Sequence, residues 1–289
     1  MADLLETHAN IESMPELPEV ETIRRLLEPL VAGRRFVEVQ VRHPRTARRN
    51  EGGPPEIEDR LRGRRILDLD RRGKFLMGHL DRDLTWVVHL GMSGRMSSAR
   101  VAEPEEPHTH FVGRLTGRRE VRFVDPRTFG FVGVFTDTEL ERVLAGVGPD
   151  ALIGLPDLAV WEARLAARLP PIKALLLAQR IVSGLGNIYA DEVLFRARIA
   201  PYRPGGSLSH SEVVRLRRSI RPELEAGLAS GGTTLSDMAY LLPDGRAGDY
   251  LERLAVYGRE GEWCRRCGTE IMRMTIAGRS SFWCPSCQQ

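Results

Sequence analysis

Of the 42 basic residues in this 289-residue chain only two are lysines, Lys74 and Lys173. A lysine amine can exchange its proton at accessible pH, whereas a guanidinium stays charged. Acid–base chemistry is therefore open to these two side chains and closed to their arginine neighbours. An arginine-biased composition is the competing explanation for so few lysines. Lys74 follows Arg71-Arg72-Gly73, and repulsion from the two arginines is expected to lower its pKa. A third nitrogen with chemistry is Pro15. Met14-Pro15-Glu16-Leu17-Pro18-Glu19-Val20-Glu21 reads as a protein start, because a methionine before proline is readily trimmed. Trimming leaves Pro15 as a free secondary amine with Glu16 beside it. Thirteen residues precede Met14 in this sequence, and an acylated proline nitrogen is a tertiary amide with no usable lone pair. The expectation is that the functional start is Met14 or that processing exposes Pro15.

Cys264, Cys267, Cys284 and Cys287 form C-x2-C-x16-C-x2-C, all within the last 26 residues. Two close pairs supply four thiolates in the arrangement a tetrahedral Zn²⁺ favours, and with four ligands no position stays open, so one structural Zn²⁺ is expected. Two disulfides or free thiols are the alternatives. Residues 279–283 read as the second strand of a zinc-ribbon hairpin. Ser183-Gly184-Leu185-Gly186-Asn187 places a glycine turn before a helix. Its N–H groups suit a phosphate oxygen, Asn187 adds a donor, and Lys173 lies 14 residues earlier on the preceding helix. A packing turn explains the same pattern. Met92, in a glycine-bounded loop, and Arg127 with Phe129, in a second loop, sit at strand ends. Such residues suit replacement of a base taken out of a duplex: apolar wedges fill the stack and arginine hydrogen-bonds the orphaned partner. By spacing alone Met92 and Phe129 read first as core residues.

The elements that must hold these groups follow from periodicity. Val20, Ile23, Leu26, Leu27 and Leu30 recur at helical spacing from Pro18, with Gly33 as a stop. Alternating and buried-run patterns then predict strands between about 36 and 135, with a hairpin turn at Gly117-Arg118 and polar loops at 51–55 and 103–107. No regular strand–helix alternation occurs, which favours a β-sandwich or barrel. Helical spacing returns over 138–144, 161–169, 172–181, 187–197 and 211–229. The fold class is α+β and multi-domain. It comprises an acidic tail (1–13), a β-sandwich with flanking helices (14–136), a helical domain (137–255) and a zinc ribbon (256–289). Hydrophobic and charged fractions of 42% and 28% are those of a soluble protein. No apolar run nears the ~18 residues a membrane span needs, and residues 1–13 lack a signal-peptide pattern, so the cytoplasm is expected. A net charge of +3 favours a polyanionic partner only weakly.

Taken in order, the segments 15–21, 72–76, 89–94, 125–130, 186–192, 231–235, 256–259 and the cysteine quartet resemble the formamidopyrimidine-DNA glycosylases over nearly the whole chain from Met14. The resemblance implies a helix–two-turns–helix architecture for the middle domain and a bifunctional repair enzyme for oxidised purines. Pro15 would attack the sugar C1′ of a flipped nucleotide. Glu16 would be the acid that helps open the sugar, and Lys74 a proton donor or acceptor. Arg279 would hold phosphate and assist the last elimination. Met92, Arg127 and Phe129 would fill the void, and His108, Arg127, Arg168, Lys173 and Asn187 would contact DNA. It implies damaged double-stranded DNA as partner, a monomer, and a nucleoid-associated place in the cytoplasm. The family commonly has a second arginine where this chain has Thr128, and its loss is expected to weaken backbone contacts or partner-base discrimination.

Two other readings compete. One is an endonuclease VIII-like enzyme for oxidised pyrimidines. The opening Pro-Glu-Leu-Pro-Glu and the Gly/Pro/Asp-rich 241–249 segment, suited to a loop over a flipped purine, favour the purine branch. The other is a non-catalytic damage-binding protein in which Pro15 stays blocked.

Overall fold

A computed structural model describes residues 14–234, 241–243 and 245–289. The acidic tail expected over 1–13 lies outside the described residues, as does part of the loop expected over 241–249. The first helix, α1 (Leu17–Val31), has Pro18 in its first turn, and the Glu19 carboxylate accepts the Glu16 N–H at 2.9 Å. Its buried stripe, Leu17, Val20, Ile23, Leu27 and Val31, follows the helical period.

Eight antiparallel strands then form two four-stranded sheets. They are β1 (Phe36–Val41), β2 (Ile66–Arg72), β3 (Phe75–Leu80), β4 (Leu84–His89), β5 (Arg95–Arg100), β6 (Thr109–Leu115), β7 (Arg119–Val124) and β8 (Phe131–Thr136). The strand orders are β1-β6-β7-β5 and β2-β3-β4-β8. Between the sheets lies a core in which the Trp86 ring meets Phe36 edge-on at 5.7 Å and stacks on Phe111 at 5.8 Å. This is the expected sandwich.

Three differences from the sequence reading have physical causes. Residues 51–55, read as a loop, open a second helix, α2 (Gly53–Leu61), because Pro54 and Pro55 occupy its first turn, where a missing N–H costs nothing. Strand β5 (RMSSAR) has no apolar run; it is held by pairing with β7 and buries only Met96 and Ala99. The helix expected over 172–181 stops at Leu177. There Gln179 takes a positive φ, and its amide ties the following turn together through Leu177 O, Leu185 O and Gly184 N.

The helical half contains α3 (Asp137–Val143), α4 (Leu158–Leu165), α5 (Ile172–Leu177), α6 (Asn187–Ala197) and α7 (His210–Ala229). A final hairpin, β9 (Met272–Ile276) and β10 (Arg279–Trp283), carries the cysteines at its base. Its buried residues Cys264, Ile271, Phe282 and Cys284 belong to the same core as α6 and α7. The hairpin is therefore packed onto the helices as part of one hydrophobic unit.

Candidate active site

Three segments far apart in sequence converge at Gly186. Pro15 is buried at the entry to α1, and the next residue, Glu16, is 1% exposed. The Glu16 carboxylate accepts N–H bonds from Gly186, from Ile188 at 2.8 Å and from Tyr189 at 3.4 Å. The glycine turn was expected to hold a phosphate with these groups. The structure corrects this, because the anion at the start of α6 is Glu16 itself, which fits the positive end of a helix dipole. Lys74 arrives from the other side. A Cβ built on Gly186 would lie 2.4 Å from the Glu16 carboxyl carbon and 2.6 Å from the Lys74 Nζ. Only a hydrogen fits between this backbone and the pair, so glycine is required at 186.

The turn that carries Lys74 is fastened to the helical half. Gly73 has φ +57, and a Cβ there would come within 2.9 Å of the Ser183 hydroxyl. Asp150 accepts the Gly73 N–H at 2.8 Å and ion-pairs with the Arg71 guanidinium, which also reaches Glu21 at 3.2 Å. Arg71 is therefore neutralised locally. The Lys74 pKa is lowered, as expected, but chiefly by burial; the cation that adds to the effect is Arg279 on β10. Burial also raises the Glu16 carboxyl, against the attraction of Lys74 and the three N–H bonds. Behind it, burial and then the Glu16 charge push Glu19 up to about 7. Glu19 accepts the Thr233 N–H at 2.7 Å and the Tyr189 hydroxyl at 3.1 Å. His89 lies beside Lys74, in contact with the Phe75 and Phe131 rings, and burial holds it down at about 4. Its Nδ1 accepts the Gly91 N–H at 3.1 Å, so the neutral ring carries its proton on Nε2. Sequence reasoning missed Asp150, Gln179, Glu19 and His89. For Asp150 and Glu19 the revealing partners, Arg71 and Gly73 for the one and Tyr189 and Thr233 for the other, are remote in the chain.

The two loops expected to fill a void lie against each other. Asp125 is fully buried, accepts the Ser93 hydroxyl at 2.6 Å and accepts the Gly130 N–H at 2.7 Å. Ser93 Oγ in turn accepts the Arg127 N–H at 3.2 Å. A Cβ on Gly91 would lie 2.4 Å from the Gly130 nitrogen. One carboxylate thus joins the Met92 loop to the Arg127–Phe129 loop, and both ride on it as a unit. Met92 is half-buried, and Phe129 is 38% exposed with the Arg127 guanidinium 4.8 Å from its ring. Phe129 is therefore not a core residue. His108 and Arg168 are exposed. Asn187 begins α6 with its Nδ2 donating to the Tyr257 hydroxyl at 3.3 Å.

Lys173 is placed elsewhere than expected. It is fully buried, pairs with Asp191 at 2.7 Å and donates to the Ser280 carbonyl at 2.9 Å. Asp191 also accepts the Phe282 N–H at 2.9 Å. Two of the three N–H donors of the Lys173 ammonium are used on this pair and carbonyl, which fix β10 on both sides of Ser281. Burial lowers Lys173 and raises Asp191 to about 6. Replacing Lys173 by methionine strands a buried carboxylate and should cost about 3–5 kcal/mol in urea unfolding. Lys173→Met with Asp191→Leu should recover part of that loss, the remainder being the unsatisfied Phe282 N–H. A single variant as stable as the parent would contradict this role.

The four cysteine sulfurs lie within 4.8 Å of one another, with Cys264–Cys287 at 3.9 Å and Cys267–Cys284 at 3.5 Å. None of the four is in a disulfide. A tetrahedron with ~2.3 Å metal–sulfur bonds has edges of about 3.8 Å, so the cluster fits a zinc ion.

Comparison with known proteins bears on all three parts. The model for the formamidopyrimidine-DNA glycosylase N-terminal domain matches residues 14–132. The model for the H2TH domain of the same family matches 147–239, and a zinc finger found in FPG and IleRS matches 261–289. The chain is 46% identical over 260 residues to the formamidopyrimidine-DNA glycosylase of Moorella thermoacetica, covering 89% of this chain and 93% of that protein. It superposes on the Lactococcus lactis Fpg in complex with a Fapy-dG containing DNA with a TM-score of 0.86 and 32% identity, covering 95% of this chain and all of the other. The same TM-score, at 34% identity and equal coverage, is found for wild-type Lactococcus lactis Fpg bound to an oxidised pyrimidine containing DNA.

Proposed function

The chain belongs to the formamidopyrimidine-DNA glycosylase family, and from that premise we propose how its residues excise an oxidised purine and cut the strand. The carrying observation is the meeting of Glu16 and Lys74 at Gly186, one residue from Pro15. With its amine free, the Pro15 nitrogen uses its lone pair to bond C1′ of the flipped nucleotide. The bond from C1′ to the base breaks, and the base leaves with a proton. Glu16, whose carboxyl burial raises above its ordinary range, delivers a proton to the sugar ring oxygen as that bond to C1′ opens, leaving an iminium. Lys74, whose burial favours the neutral amine, exchanges protons during excision and elimination. Loss of a C2′ proton expels the 3′ phosphate, and a second elimination expels the 5′ phosphate beside Arg279.

Met92, Arg127 and Phe129 fill the vacated stack, and His108, Arg168 and Asn187 contact the backbone. Lys173 serves by holding β10, and with it Arg279, in place. One Zn²⁺ held by Cys264, Cys267, Cys284 and Cys287 supplies structure only. The enzyme acts as a monomer on damaged duplex DNA in the cytoplasm; no helix among the described residues is long and apolar enough to cross a membrane.

The test is excision from duplexes carrying 8-oxoguanine or an oxidised pyrimidine. Faster release of the purine is expected, and a strong preference for the pyrimidine would overturn the substrate reading. Lys74→Arg puts a permanent cation in its place and removes proton exchange. It should lower excision by roughly 10²-fold or more with DNA affinity unchanged.

A further inference from the structure

A row of arginines with no part in the chemistry above borders the void-filling loop. Arg45, Arg48 and Arg49 lie on and just after a 3-10 turn (Pro44–Ala47), and all three are exposed. Arg48 is a tether: it donates to the carbonyls of Gly130 and of Phe129, the latter at 2.7 Å. Arg45 lies 5.6 Å from the centre of the Phe129 ring, the ring that Arg127 also covers. Arg49 lies 5.7 Å from the Phe131 ring, which stacks on His89 beside Lys74. The row therefore runs from the tip of the loop toward the catalytic lysine.

Its charge is uncompensated. Arg42 and Arg60, on either side in sequence, are matched to Glu105 and to Glu56 and Glu139. Among the described residues, Arg45, Arg48 and Arg49 have no carboxylate partner, and the nearest acid acting on Arg48, Asp125, is buried and committed to Ser93 and Gly130. Three like charges held together on an exposed turn repel each other and call for an anion. An anion with regularly spaced charges, such as a nucleic-acid backbone, satisfies them together.

We infer that Arg45 and Arg49 are phosphate contacts of the duplex, placed by the Arg48 tether at the edge of the inserted loop. In the free protein the Arg45 guanidinium covers an apolar ring that would otherwise face water. When Phe129 enters the base stack, bases replace that cover, and the released guanidinium lies at the rim of the ring, where the sugar–phosphate chain passes. This rests on the reading of the protein as a duplex-binding repair enzyme.

The experiment is a salt titration of duplex binding for the parent, Arg45→Gln/Arg49→Gln and Arg45→Lys/Arg49→Lys, on damaged and undamaged DNA. The slope of log affinity against log salt should become shallower by about 1.8 in the glutamine pair. The loss should be at least as large on damaged as on undamaged duplex, since Phe129 inserts at the damage, and the lysine pair should restore the slope. Borohydride trapping at saturating DNA should be unchanged. A parental slope in the glutamine pair, or a loss confined to undamaged DNA, would overturn the inference. A parent that neither traps nor binds duplex would instead overturn the functional reading on which it rests.

Discussion

Protein whose first residue is Pro15 will form a borohydride-stable covalent complex with a duplex carrying an oxidised purine. The same chain with residues 1–14 attached will trap at least roughly 10³-fold less, the scale of losing a covalent catalyst's nucleophile. The cause is electronic. In the longer chain the Pro15 nitrogen is an amide whose lone pair is delocalised into the Met14 carbonyl, and it cannot bond C1′. The Gly186 contacts do not depend on this: Glu16 is fixed by three N–H bonds and Lys74 by the Gly73 turn. DNA affinity should therefore fall much less than trapping, with only the acids Asp3, Glu6 and Glu12 opposing the phosphates. Intact mass and trapping on the same sample decide the matter. Equal trapping by both forms would show that Pro15 is not the nucleophile.

The sequence was most legible where chemistry needs particular residues at fixed local spacing. Helix α6 begins and ends where the pattern from Asn187 to Ala197 does, and the four cysteines converge as their spacing implied. Legibility failed where a role depends on a remote partner. Lys173 read as a phosphate contact because it lies 14 residues before Asn187, on the helix that precedes the glycine turn. The partners that bury it, Asp191 and Ser280, lie 18 and 107 positions away. The glycine turn before α6 offered N–H groups whose anion could not be named, and it proved to be Glu16, 170 residues distant. Arg71 and Arg72 were expected to act on Lys74, yet Asp150 takes up Arg71 and Arg279 arrives from the far end of the chain. Strand β5 could not be delimited within the predicted strand region for a related reason, since its stability comes from pairing with β7 and its side chains give little pattern.

Loss of the metal should disable the enzyme without touching the residues that do the covalent chemistry. Cys284 is fully buried, and the hairpin it anchors shares a core with Tyr189, Val256 and Tyr257. Apparent zinc affinities at such four-thiolate sites are worth about 10–16 kcal/mol of folding free energy, more than a 29-residue segment such as the matched zinc finger, 261–289, can replace by packing. In Cys284→Ser the bound zinc should drop from one per chain to near zero by elemental analysis. The β9–β10 hairpin should loosen, and Arg279 would then leave the neighbourhood of Lys74. Duplex binding should weaken and trapping should fall by roughly 10²-fold or more, the scale lost with one preorganised transition-state donor. The Lys74 and Glu16 contacts at Gly186, made by α1, the Gly73 turn and α6, should persist. The product pattern separates this from global unfolding. A chain that still forms the Schiff base but stops after the first elimination has lost Arg279 alone, whereas a chain that traps nothing has lost the domain interface as well. A zinc-free variant with parental trapping and full double elimination would show that the ribbon has no part in holding the site.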